Sequence, residues 1–379
     1  MLTKNVVLGI ALVLIIGTIW YFETGKIKPA SNTRGEILAS NLPGSASAVA
    51  DASLRRAEKA KKYGPAREIT PGGGFINGGP FRLKDFIGKK VILLDFWTYS
   101  CINCQRTTPY LNAWYAKYKD RGLVIVGVHT PEFDFEKVYD NVVKGTRDLG
   151  ITYPVVQDNN YATWQTYENQ YWPHEYLIDI DGYIVHDHIG EGGYDETERA
   201  IQAALKEREQ VLGTEDNVSN DITNPADVIQ LDSAKVQSPE TYFGSARNEY
   251  LGNGAQGVTG VQQLLLPSPI QPNMLYLDGS WDFKDQYAKS QSSNAKMVFR
   301  YSAKNVYFVA SASEPVKITV MEDGEVVSRD RGSDVSPDGT VVIQANRLYK
   351  LISGSDYGQH TLEIMVNSPG LQAYTLTFG

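Results

Sequence analysis

The sequence predicts an α/β domain followed by an all-β antiparallel domain, with an apolar helix at the amino terminus. Three observations carry this. Two apolar runs of strand length, "KVILLDFWT" from Lys90 and "LVIVGVHT" from Leu123, flank the helical periodicity of "CQRTTPYLNAWYAKYKD", the pattern of a βαβ unit with buried strands. From Glu240 onward helical periodicity fades, and short strands recur between turn signals at Asp323-Gly324, Asp338-Gly339 and Pro369-Gly370. Val6 to Phe22 carries no charged residue.

The elements follow in order. Val6 to Phe22 spans about 26 Å as a helix, enough to cross a bilayer with help from its flanks. Its far end carries Trp20, Tyr21 and Phe22, residues favoured at the headgroup level, and no small-residue cleavage site follows closely. Residues 1–24 therefore read as an uncleaved membrane anchor, with a cleaved signal peptide as the alternative. Lys26, Lys28 and Arg34 follow the span while Lys4 precedes it, a charge count that leans against export. Residues 25–70 read as a linker whose one helical stretch, "ASAVADASLRRAEKAKK", has mostly alanine on its apolar face and so little area to bury.

Residues 71–212 form the α/β domain. After the βαβ unit come a helix from about Asp134 to Leu149, a strand in "TYPVVQD" and a short helix in "NYATWQTYEN". A hairpin then turns at Asp181 and Gly182, and a final helix follows Tyr194 with acidic residues in its first turn. A polar connector, 213–239, leads to the β domain, 240–379, read as an antiparallel sandwich of jelly-roll or similar topology.

A chain of 379 residues with a formal charge of -8 shows no dense Lys/Arg run, which argues against nucleic acid as a partner. Its only cysteines are Cys101 and Cys104. Cys101 stands where a buried strand gives way to a helix, a place where backbone N–H groups and the helix dipole favour the thiolate and make it the nucleophile. Cys104, nearly one turn on, is placed to resolve a mixed disulfide. Asp95 lies in the middle of the apolar strand, where an unpaired carboxylate is costly; either proton transfer with the buried thiol or a hydrogen-bonded structural role would account for it. Zinc would need further ligands from His129, His174, His186, His188 and His360, and a single strand-to-helix CxxC favours redox chemistry over such a site. No metal or organic cofactor is expected beyond the Cys101–Cys104 pair itself.

These residues resemble a known family. "DFWTYSCINC", Pro109 and Pro173 are similar to thioredoxin-like proteins of the TlpA/ResA type. "VHTPEF", "YWPHEYLIDIDGYIVHDHIGEGGYDETE", "SPETYFG" and "AYTLTFG" resemble the soluble portion of DipZ-type proteins, from about Gly72 to Gly379. The resemblance implies a thioredoxin-like fold with Cys101 attacking, Cys104 resolving and Asp95 as acid/base. It also implies that Pro173 is a cis-proline beside the site, that Trp97, Trp172 and Pro173 contact substrate, and that Pro109 kinks the active-site helix. It implies a separate CcdA/DsbD-type membrane electron donor, since one anchor stands where DipZ-type proteins carry many spans. Thr107 replaces an acidic residue found in ResA-like members, and Glu132 reads as an exposed loop residue. The β domain is expected to be carbohydrate-binding-module-like, with Trp281, Phe283, Tyr287, Tyr349 and Tyr357 as candidates to stack on a glycan or a protein ligand.

The expectation is a membrane-tethered, extracytoplasmic thiol-disulfide oxidoreductase acting on protein thiols and disulfides, in the reducing direction that the family implies. The absence of further cysteines suits an oxidising compartment. The rival is a cell-surface binding protein in which the β domain does the work and the CxxC is incidental.

Overall fold

β2 (Val91–Trp97) is buried at every position and lies at the centre of a six-stranded sheet in the computed structural model, which describes residues 45–226, 228–229 and 231–379. Its apolar side chains point alternately to two cores, one under each face, which is why the run shows no polar alternation. The helix α1 (Ser45–Ala60) comes first in the described chain. The sheet then takes β1 (Phe75–Ile76), β2, β3 (Leu123–His129), β4 (Val155–Gln157), β5 (His174–Ile178) and β6 (Ile184–Ile189) in the spatial order β1-β4-β3-β2-β5-β6. β3 runs parallel to β2, which requires a crossover, and α2 (Ile102–Tyr118) supplies it. α3 (Tyr139–Asp148), α4 (Ala162–Thr166) and α5 (Tyr194–Leu212) complete the α/β domain. The βαβ, αβ, ββα order expected from periodicity is present, including the hairpin between β5 and β6.

Gly127 on β3 sits beside Asp95 in register, and it must be glycine. A Cβ there would lie 2.7 Å from the Trp97 indole nitrogen and 3.3 Å from the Tyr153 ring. Asp95 itself is only 2% exposed.

The second half is all-β and antiparallel. It contains β7 (Thr241–Tyr242), β8 (Gly260–Leu264), β9 (Leu275–Phe283), β10 (Ala288–Ser290), β11 (Ala295–Ser311), β12 (Val316–Glu322), β13 (Glu325–Val326), β14 (Thr340–Ile343), β15 (Arg347–Val366) and β16 (Gln372–Phe378). The two long strands β11 and β15 pair along most of their length, with register shifts between Ala303 and Asn305 and between Val306 and Tyr307. Such bulges bend a strand. The first part of β11 pairs with β9 and its last part with β16, while β10 joins β9 to β16, so these strands close a ring.

Three readings need correction. Trp281, Phe283 and Tyr349 are core residues at 0%, 0% and 1% exposure, so only Tyr287 and Tyr357 of the five aromatic candidates reach the surface. Large aromatic rings supply most of the area a β core needs to bury, and that demand claims them first. The linker before the α/β domain is not a free spacer at its end. Arg55 Nε lies 2.6 Å from Asp181, and Lys59 Nζ lies 2.5 Å from Asp179 and 2.6 Å from Glu207. Although burial opposes it, the hydrogen bonds from Arg55, Lys59 and Arg56 hold the Asp181 carboxyl well below the usual range. The second connector is likewise docked: buried Glu198 accepts from Thr223 N–H at 2.6 Å and from Lys117 at 2.8 Å, fastening the segment to α2 and α5.

The apolar run Val6 to Phe22 lies outside the described residues. Among the described residues no helix is long and apolar enough to cross a membrane.

Candidate active site

The site begins where β2 ends. Trp97 C=O accepts from Thr130 N–H at 3.0 Å, closing off the parallel pair, and Thr98, Tyr99 and Ser100 then turn the chain into α2. Cys101 is the residue at the helix cap, with extended backbone (φ -78°, ψ 121°), and its Sγ accepts from Cys104 N–H at 3.4 Å. Both cysteines are free thiols; Cys101 is half-buried and Cys104 buried. The helix continues unbroken through Pro109, whose missing N–H leaves one carbonyl of the preceding turn unpaired.

Burial pushes the Cys104 thiol well up, and Cys101 and Asp95 beside it add to that push. Cys104 therefore needs a base to become a nucleophile. Asp95, 2% exposed, is the group in place. Burial pushes its carboxyl up to about 8, and its Oδ1 has no hydrogen-bond partner among the described residues. A carboxyl left unpaired in the interior is costly, and its position beside Cys104 sets it within reach of that thiol's proton.

Antiparallel pairing of β2 with β5 sets Phe96 opposite His174, so Pro173 falls at the end of β2 beside the turn that carries Cys101. The Trp172–Pro173 peptide is cis. Trp172 is half-buried, its ring tilted against Trp164 with centroids 4.3 Å apart, and it donates from Nε1 to Thr130 O at 3.1 Å. Trp97 is different: at 1% exposure it is core, packed edge-on to His129, and is not available to a substrate. The strand's alternation turns it inward with Leu93.

Sequence reasoning missed several residues that shape the site. Glu136, fully buried, accepts from Ser100 Oγ at 2.6 Å, Ser100 N–H at 3.3 Å, Glu132 N–H at 2.6 Å and Phe133 N–H at 3.0 Å, tying the cysteine turn to the loop after β3. Its bonds to Glu132 and Phe133 are local, but the bonds to Ser100, 36 residues away, leave no local mark. Glu136→Ala is expected to cost about 3 kcal/mol by stranding buried donors, read as a lowered denaturation midpoint together with faster hydrogen exchange at Ser100. An unchanged midpoint would refute that role. Arg106 is buried on α2, with its guanidinium 2.6 and 2.7 Å from the Glu191 carboxylate and 2.7 Å from Asn103 Oδ1. His129 is fully buried between Trp97 and Tyr99, and burial holds its imidazole down near 3, so it is neutral. Glu175, fully buried next to Pro173, stands opposite Asp95; a charge in an apolar strand was the available signal, as it was for Asp95.

The β domain braces the site. Tyr99 OH donates to Asn346 O at 3.1 Å, and Tyr374 packs edge-on against Phe133 and Phe135 at 5.0 and 4.9 Å. Glu132 is not the exposed loop residue expected: it is 2.7 Å from Arg247 and accepts from Tyr242 OH at 2.8 Å. Tyr307, Val309, Leu348 and Tyr374 join the same core cluster as Trp97 and Cys104.

Among the described residues, the one convergence of three potential metal-ligating groups is Asp179, Asp181 and Glu207; it contains neither sulfur nor imidazole, and the Lys59 ammonium fills it.

Comparison with known proteins adds the following. The family described as "Thioredoxin-like" matches residues 88–184, and that described as "Thioredoxin like C-terminal domain" matches 238–379. Protein DipZ of Mycobacterium bovis is 36% identical over 326 residues, covering 85% of this chain and 44% of that protein. The chain thus spans less than half the length of this relative. Thiol-disulfide oxidoreductase YkuV of Bacillus subtilis is 30% identical over 145 residues, 38% of this chain and 97% of that protein. Thiol-disulfide oxidoreductase ResA of Bacillus thuringiensis is 33% identical over 131 residues, 35% of this chain and 70% of that protein.

Proposed function

The chain belongs to the thioredoxin-like thiol-disulfide oxidoreductases, and from that premise we propose that it reduces disulfides in protein substrates outside the cytoplasm, held to a membrane by its amino-terminal segment. The observation that carries the reductive reading is the unpaired Asp95 carboxyl against a buried Cys104, an arrangement that lets the second thiol be deprotonated on demand. Cys101 thiolate attacks a substrate disulfide, forming one S–S bond and releasing the first substrate thiolate, which takes a proton from water. Cys104 then gives its proton to the Asp95 carboxylate and attacks Cys101. The Cys101–substrate bond breaks with both its electrons on the second substrate sulfur, and the enzyme is left as the Cys101–Cys104 disulfide.

Substrate docking is read at Trp172 and Pro173. Among the described residues the Trp172 backbone N–H and C=O have no internal hydrogen-bond partner, which leaves them free to pair with an extended substrate segment. Exposed Tyr171 and Ile189 flank that stretch and offer apolar contact. Tethering is supported by the uncharged run Val6 to Phe22, and the oxidising compartment by the lack of any cysteine beyond the pair. A separate membrane electron donor of the CcdA/DsbD type would return the enzyme to its dithiol form. For the β domain, a jelly-roll fold of the carbohydrate-binding-module kind is supported by the bent, ring-closing strands. With three of its five candidate aromatics in the core, its evident work is to brace the active site, and a glycan or protein ligand remains a secondary reading.

The test is Cys104→Ser in the full chain. Mixed disulfides through Cys101 are expected to accumulate on non-reducing gels and to vanish on reduction or in the Cys101→Ser variant. If no adduct forms while the wild type exchanges disulfides normally, the order of the two cysteines is wrong.

A further inference from the structure

Asp95 does not stand alone. β2, β5 and β6 pair so that Asp95 is directly opposite Glu175, and Glu175 directly opposite His188. Residues opposed in this way share a face, with Cβ atoms roughly 5 Å apart. Three titratable side chains therefore cross three neighbouring strands in a row that begins beneath Cys104 and ends on β6, the edge of the sheet.

Each member has an unspent valence. Asp95 Oδ1, Glu175 Oε2 and His188 Nε2 are buried atoms without hydrogen-bond partners among the described residues. The groups around the row are few. Cys101 and Cys104 face it from α2, Gly127 of β3 contributes no side chain, and the Tyr153 hydroxyl, itself unpaired, comes from the segment before β4. From α5, the Thr197 hydroxyl favours the charged form of Glu175 and also lies 3.2 Å from His186 Nε2, while Tyr194 senses the Glu175 charge. Among the described residues no cation faces the two carboxyls. Gly193, with left-handed φ of 58°, leaves room for the His188 ring, since a Cβ there would lie 2.6 Å from its Cε1.

Two carboxyls side by side in a dry site, without a cation, cannot both ionise easily and instead share a proton. We propose that Glu175 is a positioning residue for the resolving step, sharing one proton with Asp95 and passing protons between Asp95 and His188 at the sheet edge. The proposal rests on the assignment of Cys101 as attacking and Cys104 as resolving thiol. When Cys104 gives its proton to Asp95, Glu175 passes its own proton to His188 through a bridging water and takes the one from Asp95, and His188 releases a proton to water. The disulfide closes with no net charge added to the interior. Burial pushes Glu175 well up, as does the neighbouring Asp95, which is consistent with this pairing.

The experiment follows the full-length dithiol protein reacting with a small aromatic disulfide, which releases one coloured thiolate on attack by Cys101 and a second on closure by Cys104. In the wild type the rate of the second phase is expected to rise with pH in two steps. Glu175→Gln is expected to leave one step and to lower the ratio of second-phase to first-phase rates at least about fivefold near neutral pH. Glu175→Asp, which keeps a carboxyl, should restore the second step, which a merely structural role would not predict. His188→Gln should slow the second phase more than the first. A Glu175→Gln profile with both steps intact, or both phases slowed equally, would overturn the relay; an unaffected second phase in His188→Gln would overturn its outlet. If the wild type releases no second thiolate at any pH, the assignment of the two cysteines fails, and the relay with it.

Discussion

Asp95→Asn is expected to slow closure of the Cys101–Cys104 disulfide by about a hundredfold at neutral pH and at the same time to make the protein more stable. The rate effect follows from removing the base beside Cys104, since a positioned acid/base group contributes roughly 10² to 10⁴ in rate. The stability effect follows from linkage. Unfolded, an aspartate ionises near ~3.9; folded, burial holds Asp95 protonated up to about 8. With the folded pKa raised, the stability that the protonated group allows is fully present below the unfolded value and is lost as pH rises through the folded one. Each pH unit between them costs about 1.4 kcal/mol, so the penalty at pH 7 is on the order of 4 kcal/mol, an upper value. Asparagine has no proton to lose and escapes it. Chemical denaturation of both proteins at pH 5, 7 and 9 should show a gap that widens with pH up to about 8. An asparagine variant less stable than the wild type at pH 7 would mean that Asp95 is a structural hydrogen-bonding residue, the alternative left open by its position in the strand.

Arg106→Ala is expected to cost about 3 to 5 kcal/mol, the range for removing one partner of a buried ion pair. The Arg106 side chain is 4% exposed and Glu191 17%, so solvent screens the pair little. The charge left behind would sit against α2 within a turn of Cys104. The guanidinium also lies 5.8 Å over the Tyr307 ring of the β domain, so its loss should loosen the bracing as well as the helix. Arg106→Lys should not rescue, because a single ammonium cannot make the two parallel bonds to Glu191 and the bond to Asn103 at once. Thermal unfolding and limited proteolysis of the 213–239 connector would read the two effects. Wild-type behaviour in both would show that Arg106 is dispensable.

Much of the site was legible before any fold was known. The cysteine pair, the buried strand before it and the misplaced aspartate are local signals: each lies within one βαβ unit, where hydrophobic period and residue type suffice. Pro173 and Trp172 became legible only through family resemblance; in the structure Phe96 of β2 pairs with His174, so both lie near the end of β2. Trp97 shows the limit of motif reading. It adjoins the cysteine turn in sequence, yet strand alternation buries it, while Trp172, far away in the chain, is the half-exposed indole at the site.

The sequence by itself determined the two domain classes, the strand-to-helix placement of Cys101 and Cys104, and the presence of an acid behind them, because period and turn chemistry act over a few residues. Only the tertiary structure decided that Glu175 and His188 line up with Asp95, that Glu136 and Arg106 hold the cysteine turn and helix, and that Glu132 and Tyr99 are clasped by the β domain. Those pairings depend on strand register and on which domain face meets which loop. A one-residue slip would turn every side chain of β5 to the opposite face, and no local pattern in the chain records that choice.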